Sequence, residues 1–264
     1  MDSAVWRGVA EQCRRLFAPA ERIHTRRFIL EGFRLHERAV RAGAQVETVL
    51  IAPTDPTPRM AALKDALSAS GARLVAAPDE VIAELVGGRG AGMVVGIAVM
   101  PEDQAIETGS CTGVYLVADG VEDPGNVGAM VRTALAAGCT GFITTGISDP
   151  YHPKAVRTSM GSLFRIPVFR YDDSAQAIRA LKASDVRCIG AVSRGGLPLP
   201  EAGLGSGGDR TALFLGGEAH GLPGEVIEMM DATVTIPMAE NTDSFSVNAA
   251  SAIILYERFR GQAP

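Results

Sequence analysis

Apolar runs of strand length recur through the later part of the chain, at Val114 to Ala118, Gly141 to Thr144, Ile166 to Arg170, Arg187 to Val192, Ala212 to Gly216 and Thr233 to Pro237. Helical patterns separate most of them, including Val127 to Ala137, Ser174 to Ala183 and Ser246 to Phe259. Continuous apolar strands joined by crossover helices imply a parallel sheet covered on both faces. The front of the chain reads differently. Helices are expected at Ser3 to Leu16, Glu31 to Ala42, Arg59 to Ser70 and Pro78 to Leu85, with strands at Val46 to Ile51, Arg73 to Ala76 and Val94 to Met100, a small αβα unit. Between them Pro101 to Gly113 is polar, turn-rich and without apolar period, the expected linker. The chain is therefore α/β with two domains, 1–105 and 106–264.

With 264 residues, 47% of them hydrophobic, the chain can bury substantial cores. Its longest apolar runs, such as Val114 to Ala118 and Ala252 to Tyr256, are too short to span a bilayer, and the start MDSAVWRGVAEQCRRL lacks a secretory pattern. A cytoplasmic protein with no membrane partner is expected. Cys13, Cys111, Cys139 and Cys188 are scattered with no CxxC pair, which predicts neither a metal site nor a disulfide framework. The net charge of −5 conceals an asymmetry: residues 1–45 carry nine Arg against five acids, leaving the remainder at −9. Such a basic segment hints at nucleic-acid contact through phosphate neutralisation. An amphipathic helix with an Arg-rich solvent face explains it too, and since only Lys64, Lys154 and Lys182 are lysines, Arg enrichment is partly a habit of the whole chain.

Three loops concentrate the chemistry. The first, Asp123-Pro-Gly-Asn-Val-Gly-Ala-Met-Val-Arg-Thr-Ala134, follows a strand: Pro124 and Gly125 suit a tight turn, and Gly128 suits close approach by another group. Asn126 is placed to cap the next helix, and Arg132 falls in its second turn, a buried cation reaching back toward the strand mouth. In the plainer alternative Asn126 only caps, Gly128 only turns and Arg132 lies on a solvated face. The second loop, Leu215 to Pro223, reads G-G-E-x-x-G-L, which lacks the spacing of a dinucleotide fingerprint and excludes a Rossmann nicotinamide site. Glu218 there could orient Arg132 or a ligand hydroxyl, or be a solvated turn residue. His220 has no Cys or His partner at metal spacing. The third loop, Ile236 to Asn248, is dense in hydroxyls and amides, and plain capping explains one of Ser244, Ser246 and Asn248 but not all three.

These three loops, in this order, resemble the signature motifs of the SpoU (TrmH) family of RNA ribose 2′-O-methyltransferases, in the SPOUT superfamily. The first motif, N-x-G-A-x-x-R-T, stands as Asn126, Gly128, Ala129, Arg132 and Thr133; the second as Gly216, Gly217, Glu218, Gly221 and Leu222. Pro153 to Phe164, followed by Ile166-Pro-Val, is similar to the family's intervening segment. The resemblance implies a trefoil-knotted methyltransferase domain, a homodimer, and S-adenosylmethionine held largely through main-chain groups at Gly216, Ile236 and Phe245, with Gly217, Met238, Ser244 and Asn248 around it. The front segment, with Arg26-Arg-Phe-Ile-Leu-Glu-Gly32, is similar to the ribosomal-protein-like substrate-binding domain of many members. Arg26, Arg27, Lys154 and Arg157 would then contact RNA phosphates, and Phe28 would stack on a base or equally belong to the core.

The implied reaction moves a methyl group to a ribose 2′-hydroxyl, with Arg132, Asn126, Glu218 and Ser246 as the catalytic set. A guanidinium stays protonated, so Arg132 is expected to stabilise the developing alkoxide rather than abstract a proton. The family's third motif commonly reads S-L-N-V-S, whereas this chain has Ser244-Phe-Ser-Val-Asn248, so the asparagine and second serine are exchanged. That exchange leaves open a catalytically silent RNA-binding protein. The substrate implied is 23S ribosomal RNA, whether for housekeeping or for antibiotic resistance, with transfer RNA the alternative; a small-molecule α/β enzyme has no use for the basic front end.

Overall fold

The computed structural model describes residues 3–53, 57–87, 94–106, 113–202, 210–240 and 242–260. In chain order the front elements are α1 (Ser3–Arg15), α2 (Pro19–Thr25), β1 (Arg27–Glu31), α3 (Phe33–Arg41), β2 (Val46–Ile51), α4 (Pro58–Ala69), β3 (Arg73–Ala76), α5 (Asp79–Leu85) and β4 (Val94–Val99). They are followed by β5 (Val114–Asp119), α6 (Pro124–Ala136), β6 (Gly141–Thr145), α7 (Pro153–Thr158), β7 (Val168–Tyr171), α8 (Ser174–Ala183), β8 (Arg187–Ala191) and β9 (Leu197–Pro198). The last are β10 (Thr211–Gly216), α9 (Gly224–Glu228), β11 (Ala232–Thr235) and α10 (Val247–Arg260). The chain divides into two units, Met1–Glu102 with Tyr151–Arg165, and Asp103–Pro150 with Ile166–Pro264. Of the expected linker, residues 107–112, Cys111 among them, lie outside the described residues.

The first unit holds a four-stranded sheet in the order β1-β4-β2-β3, antiparallel at β4 and parallel between β2 and β3. The pleat sends Val95 and Ile97 of β4 to the face covered by α1 and α5, where Ala10, Cys13, Leu16, Ile82 and Leu85 complete the core. The expected helix start at Glu31 is corrected: Glu31 closes strand β1, and α3 begins at Phe33. Three consecutive apolar residues, Phe28 to Leu30, are too few to display a period of two, and the seven residues of α2 are too few to display a helical one.

The segment Tyr151–Arg165, expected in the second domain, belongs with the first unit, and its side chains show why. The Phe28 ring lies 5.1 Å from that of Tyr151 and 6.4 Å from that of Phe164. Arg157 Nη1 donates to Glu31 Oε2 at 3.0 Å, where the Glu31 side chain is 1% exposed, and Arg38 donates to the Met160 carbonyl. A carboxylate so deeply buried requires a cation beside it. The basic front end is also less available than its charge suggests. Arg22 is buried and its Nη1 donates to the carbonyls of Leu16 and Phe17 at 2.7 and 2.8 Å, closing α1, while Arg14 pairs with Glu84 and Arg59 with Glu37.

The second unit is a seven-stranded, wholly parallel sheet in the order β7-β6-β5-β10-β8-β11-β9, the architecture its sequence predicts plus the short edge strand β9. The chain lays down β5 and β8 before it fills the position between them with β10, and α10 then packs against α6 and β10. Helix α6 starts earlier than expected. Asp123 Oδ1 accepts from the Asn126 N–H at 3.0 Å and Pro124 opens the first turn, so Asp123, not Asn126, is the cap. Arg132 consequently falls in the third turn. Among the described residues no helix is long and apolar enough to cross a membrane.

His36 gives the first unit a pH dependence. Its ring is wholly buried, Nδ1 lies 2.8 Å from the Gly32 carbonyl, and a Cβ on Gly96 of β4 would stand 2.4 Å from Nε2. Burial lowers its pKa from 6.5 to about 4, despite the opposing hydrogen bond to Gly32. The unfolded chain therefore takes up a proton below pH 6.5 that the folded chain refuses until about pH 4, so His36 costs nothing above that window and destabilises progressively across it. The expected loss is about 3 kcal/mol, read by urea unfolding at successive pH values with Trp6 fluorescence as the reporter in α1. His36→Gln should flatten the profile; identical slopes in the two proteins contradict the assignment.

Candidate functional site

The second loop doubles back on itself at the carboxyl end of β10. The Gly221 N–H donates to the Gly217 carbonyl at 2.9 Å, with Gly221 at φ +64°, and a Cβ on Gly216 would stand 2.0 Å from the Gly221 carbonyl carbon. A Cβ on Gly217 would reach the Gly120 carbonyl oxygen at 2.6 Å, so the loop also abuts the turn leaving β5. That turn is fastened from below: Asp119, buried at the end of β5, accepts from Thr145 Oγ1 at 2.5 Å and from Ser174 Oγ, and Ser148 Oγ accepts from the Val121 N–H at 2.7 Å. Asp119 escaped sequence reasoning; a charged residue closing an apolar strand was its only signal.

This packing brings the three loops to one hydrogen-bonded chain. Asn126, in the first turn of α6, donates from Nδ2 to Glu218 Oε1, and its Oδ1 accepts from Asn248 Nδ2 at 2.5 Å. A carboxylate can only accept, which turns the Asn126 amide nitrogen toward Glu218 and leaves its oxygen for Asn248. Asn248 thus joins the third loop to Asn126 of the first, despite its displaced position in the sequence. Ser246 has the capping role instead: its Oγ accepts from the Ala249 N–H at 3.4 Å and its carbonyl from the Ala250 N–H at 2.9 Å.

Beside the chain opens a crevice of about 470 Å³, a volume ordinary for a small-molecule site. Gly216, Gly217, Ile236, Met238, Ser244 and Phe245 line it, and Glu218 lies at its wall. Asn248, expected on the cofactor, does not line it; its Nδ2 donates to Asn126. Nor do Asn126, Ser246 or Arg132. Arg132 is exposed on α6 rather than buried, and makes no hydrogen bond or ion pair among the described residues. His220 borders the crevice on an exposed loop. Among the described residues no His, Cys, Asp and Glu cluster could hold a metal, and burial pushes the Cys13, Cys139 and Cys188 thiols up to about 12, so none is a thiolate nucleophile.

The five residues expected to touch RNA all lie in the first unit. Phe28 is 1% exposed, so it is a core ring and offers no stacking surface. Arg27 is held by both oxygens of Glu47 at 2.5 and 2.8 Å, and Arg157 by Glu31, which leaves each charge neutralised. Arg26, in the left-handed region at φ 52°, donates to the Pro101 carbonyl at 2.6 Å. Lys154 alone of the five is exposed.

The SpoU rRNA Methylase family model matches residues 113–256, and an MRM3-like substrate binding domain matches residues 11–96. An uncharacterized tRNA/rRNA methyltransferase of Mycobacterium tuberculosis is 33% identical over 205 residues, 76% of this chain and 71% of that one. A 23S rRNA (guanosine(2553)-2′-O)-methyltransferase of Bacillus subtilis is 28% identical over 244 residues, 92% of each chain. The AdoMet-bound rRNA methyltransferase from Sinorhizobium meliloti superposes with a TM-score of 0.85 at 28% identity, covering 97% of this chain and 95% of that one.

The doubled-back loop makes a steric prediction. Gly216→Ala sets a methyl group against backbone and is expected to destabilise the second unit by about 3 kcal/mol. Gly224→Ala, whose Cβ meets nothing within 4 Å, should stay within about 1 kcal/mol of the parent. Thermal unfolding of the two variants decides it, and equal midpoints would refute the crowding at Gly216.

Proposed function

We propose, for a chain that belongs to the SpoU rRNA methylase family, that its second unit transfers a methyl group from S-adenosylmethionine to a ribose 2′-hydroxyl of 23S ribosomal RNA. The observation that carries this reading is the Glu218–Asn126–Asn248 chain, which ties all three motif loops together at the wall of one crevice. The residues present fit the cofactor. Gly216 and Gly217, which no side chain could replace against Gly221 and Gly120, line the crevice with main chain, and Ile236, Met238 and Phe245 offer apolar walls for an adenine whose edge the main chain can satisfy. The Sinorhizobium meliloti neighbour was solved with AdoMet bound, and the Bacillus subtilis relative is named for 2′-O-methylation of 23S rRNA.

When bound, S-adenosylmethionine supplies an electrophilic methyl group on a sulfonium. The chain's own residues supply orientation and charge. Glu218, held in place by Asn126, fixes the direction of the attacking hydroxyl, and Arg132 stabilises its oxygen as the O–H proton departs to solvent. Arg132 does not line the crevice of its own chain, so we assign the reaction to a homodimer joined through the surface of α6 and α10, in which it serves the partner's crevice. Support comes from Tyr256, 65% exposed on α10, which packs against α6. RNA binding falls to the first unit, Met1–Glu102 with Tyr151–Arg165, and transfer to the second, Asp103–Pro150 with Ile166–Pro264. The family's trefoil knot is assigned to the late insertion of β10 between β5 and β8, and work on ribosomal RNA to the cytoplasm. The bond from Asn248 to Asn126, which joins the altered third loop to the first, supports transfer over the silent alternative.

The test is transfer of labelled methyl from S-adenosylmethionine to unmodified 23S rRNA, followed by mapping of alkali-resistant ribose positions. Arg132→Lys is expected to lose about a hundredfold in rate with cofactor affinity unchanged, since a point charge does not reproduce the planar fork. Near-normal turnover in that variant would sink the geometric role of Arg132. Methylation of transfer RNA in place of 23S rRNA would overturn the substrate.

A further inference from the structure

The loop after β8 arches across the carboxyl end of β11. Ala191, at the end of β8, and Leu197, at the start of β9, both stand level with Val234, on opposite sides of β11. The crossing is fastened at each foot: the Val192 N–H donates to the Val234 carbonyl and the Gly196 N–H to Thr235 Oγ1, both at 2.9 Å. Its shape depends on two glycines. Gly195 sits at φ +79°, and a Cβ on Gly196 would come within 2.8 Å of Thr235 Oγ1 and of the Val234 carbonyl carbon. The arch holds Arg194 between the crevice and a second cavity of about 530 Å³; Ser193, Arg194, Ile236 and Met238 line both.

Arg194 is exposed and makes no hydrogen bond or ion pair among the described residues, unlike most arginines of the first unit. The other charged residues lining the crevice are Glu218 and Asp243. S-adenosylmethionine at neutral pH bears the inverse set: two cationic centres, the sulfonium and the ammonium, and one carboxylate. A guanidinium is the side chain whose fork matches a carboxylate in two parallel hydrogen bonds. We propose that Arg194 binds the α-carboxylate of the methionyl part of S-adenosylmethionine and so distinguishes the cofactor from adenosine compounds that lack that group. This rests on the reading that the crevice holds S-adenosylmethionine.

Calorimetric titration of the full chain with S-adenosylmethionine and with decarboxylated S-adenosylmethionine, for the parent and for Arg194→Met, separates the two claims. The parent should bind the carboxylated ligand about tenfold or more tightly than the decarboxylated one, the worth of a charge-assisted bond. Arg194→Met should lose that preference while holding the decarboxylated ligand as the parent does, which also shows that the variant is folded. Arg194→Lys should recover only part of the preference. A preference intact in Arg194→Met, or an equal weakening of both ligands, overturns the proposal and leaves the cofactor crevice standing. Unchanged affinity for both with weakened binding of 23S rRNA overturns it in favour of a phosphate contact. Failure of the parent to bind S-adenosylmethionine overturns the crevice reading and the proposal with it.

Discussion

A single amide, Asn126, holds the candidate site together. It reaches Glu218 with its nitrogen and Asn248 with its oxygen, joining residues 92 and 122 positions away. Neither neighbour could replace it: a carboxylate offers only acceptors, and Asn248 presents its donor side, so the bridging group must donate on one side and accept on the other. The placement of Asn126 depends in turn on Asp123, whose cap starts α6 early enough to carry the amide to the end of β10. Convergence of three distant loops is thus a matter of one helix beginning at the right residue.

Close backbone approach does the rest. The turn after β5 and the loop after β10 leave adjacent parallel strands, and they touch because Gly217 presents no side chain to the Gly120 carbonyl. A parallel sheet places such loops together at its carboxyl edge, where ligands of open α/β folds characteristically sit. Asp119 stiffens the floor of this edge through two hydroxyls, one from the end of β6 and one from the start of α8. The crevice is therefore lined by loops whose shape is set by sterics and whose polar groups remain available to a ligand.

The parallel sheet was legible in sequence because its strands are buried on both faces, and Val117, Ile143, Ile189 and Phe214 stand in continuous apolar runs. The crevice glycines and Phe245 were legible through their motif. What stayed hidden depends on partners far along the chain. Whether Phe28 stacked on a base or filled the core was decided only by Tyr151 and Phe164, which enclose it, and Arg27 and Arg157 looked like phosphate ligands until Glu47 and Glu31 took them. A basic composition does not state which charges are already neutralised. The exchange of Ser246 and Asn248 raised doubt on paper because side-chain direction at a helix start depends on where the helix starts, which only the fold decides.

The bridge at Asn126 is tested most directly by a double-mutant cycle on methyl transfer to 23S rRNA, with Asn126→Ala, Asn248→Ala and the pair. If the two amides act as one unit, the double variant loses little more than the worse single one, with a coupling of about 1 kcal/mol or more. Losses that simply add would mean that the two asparagines work independently, and the account of three loops joined through one amide would be wrong.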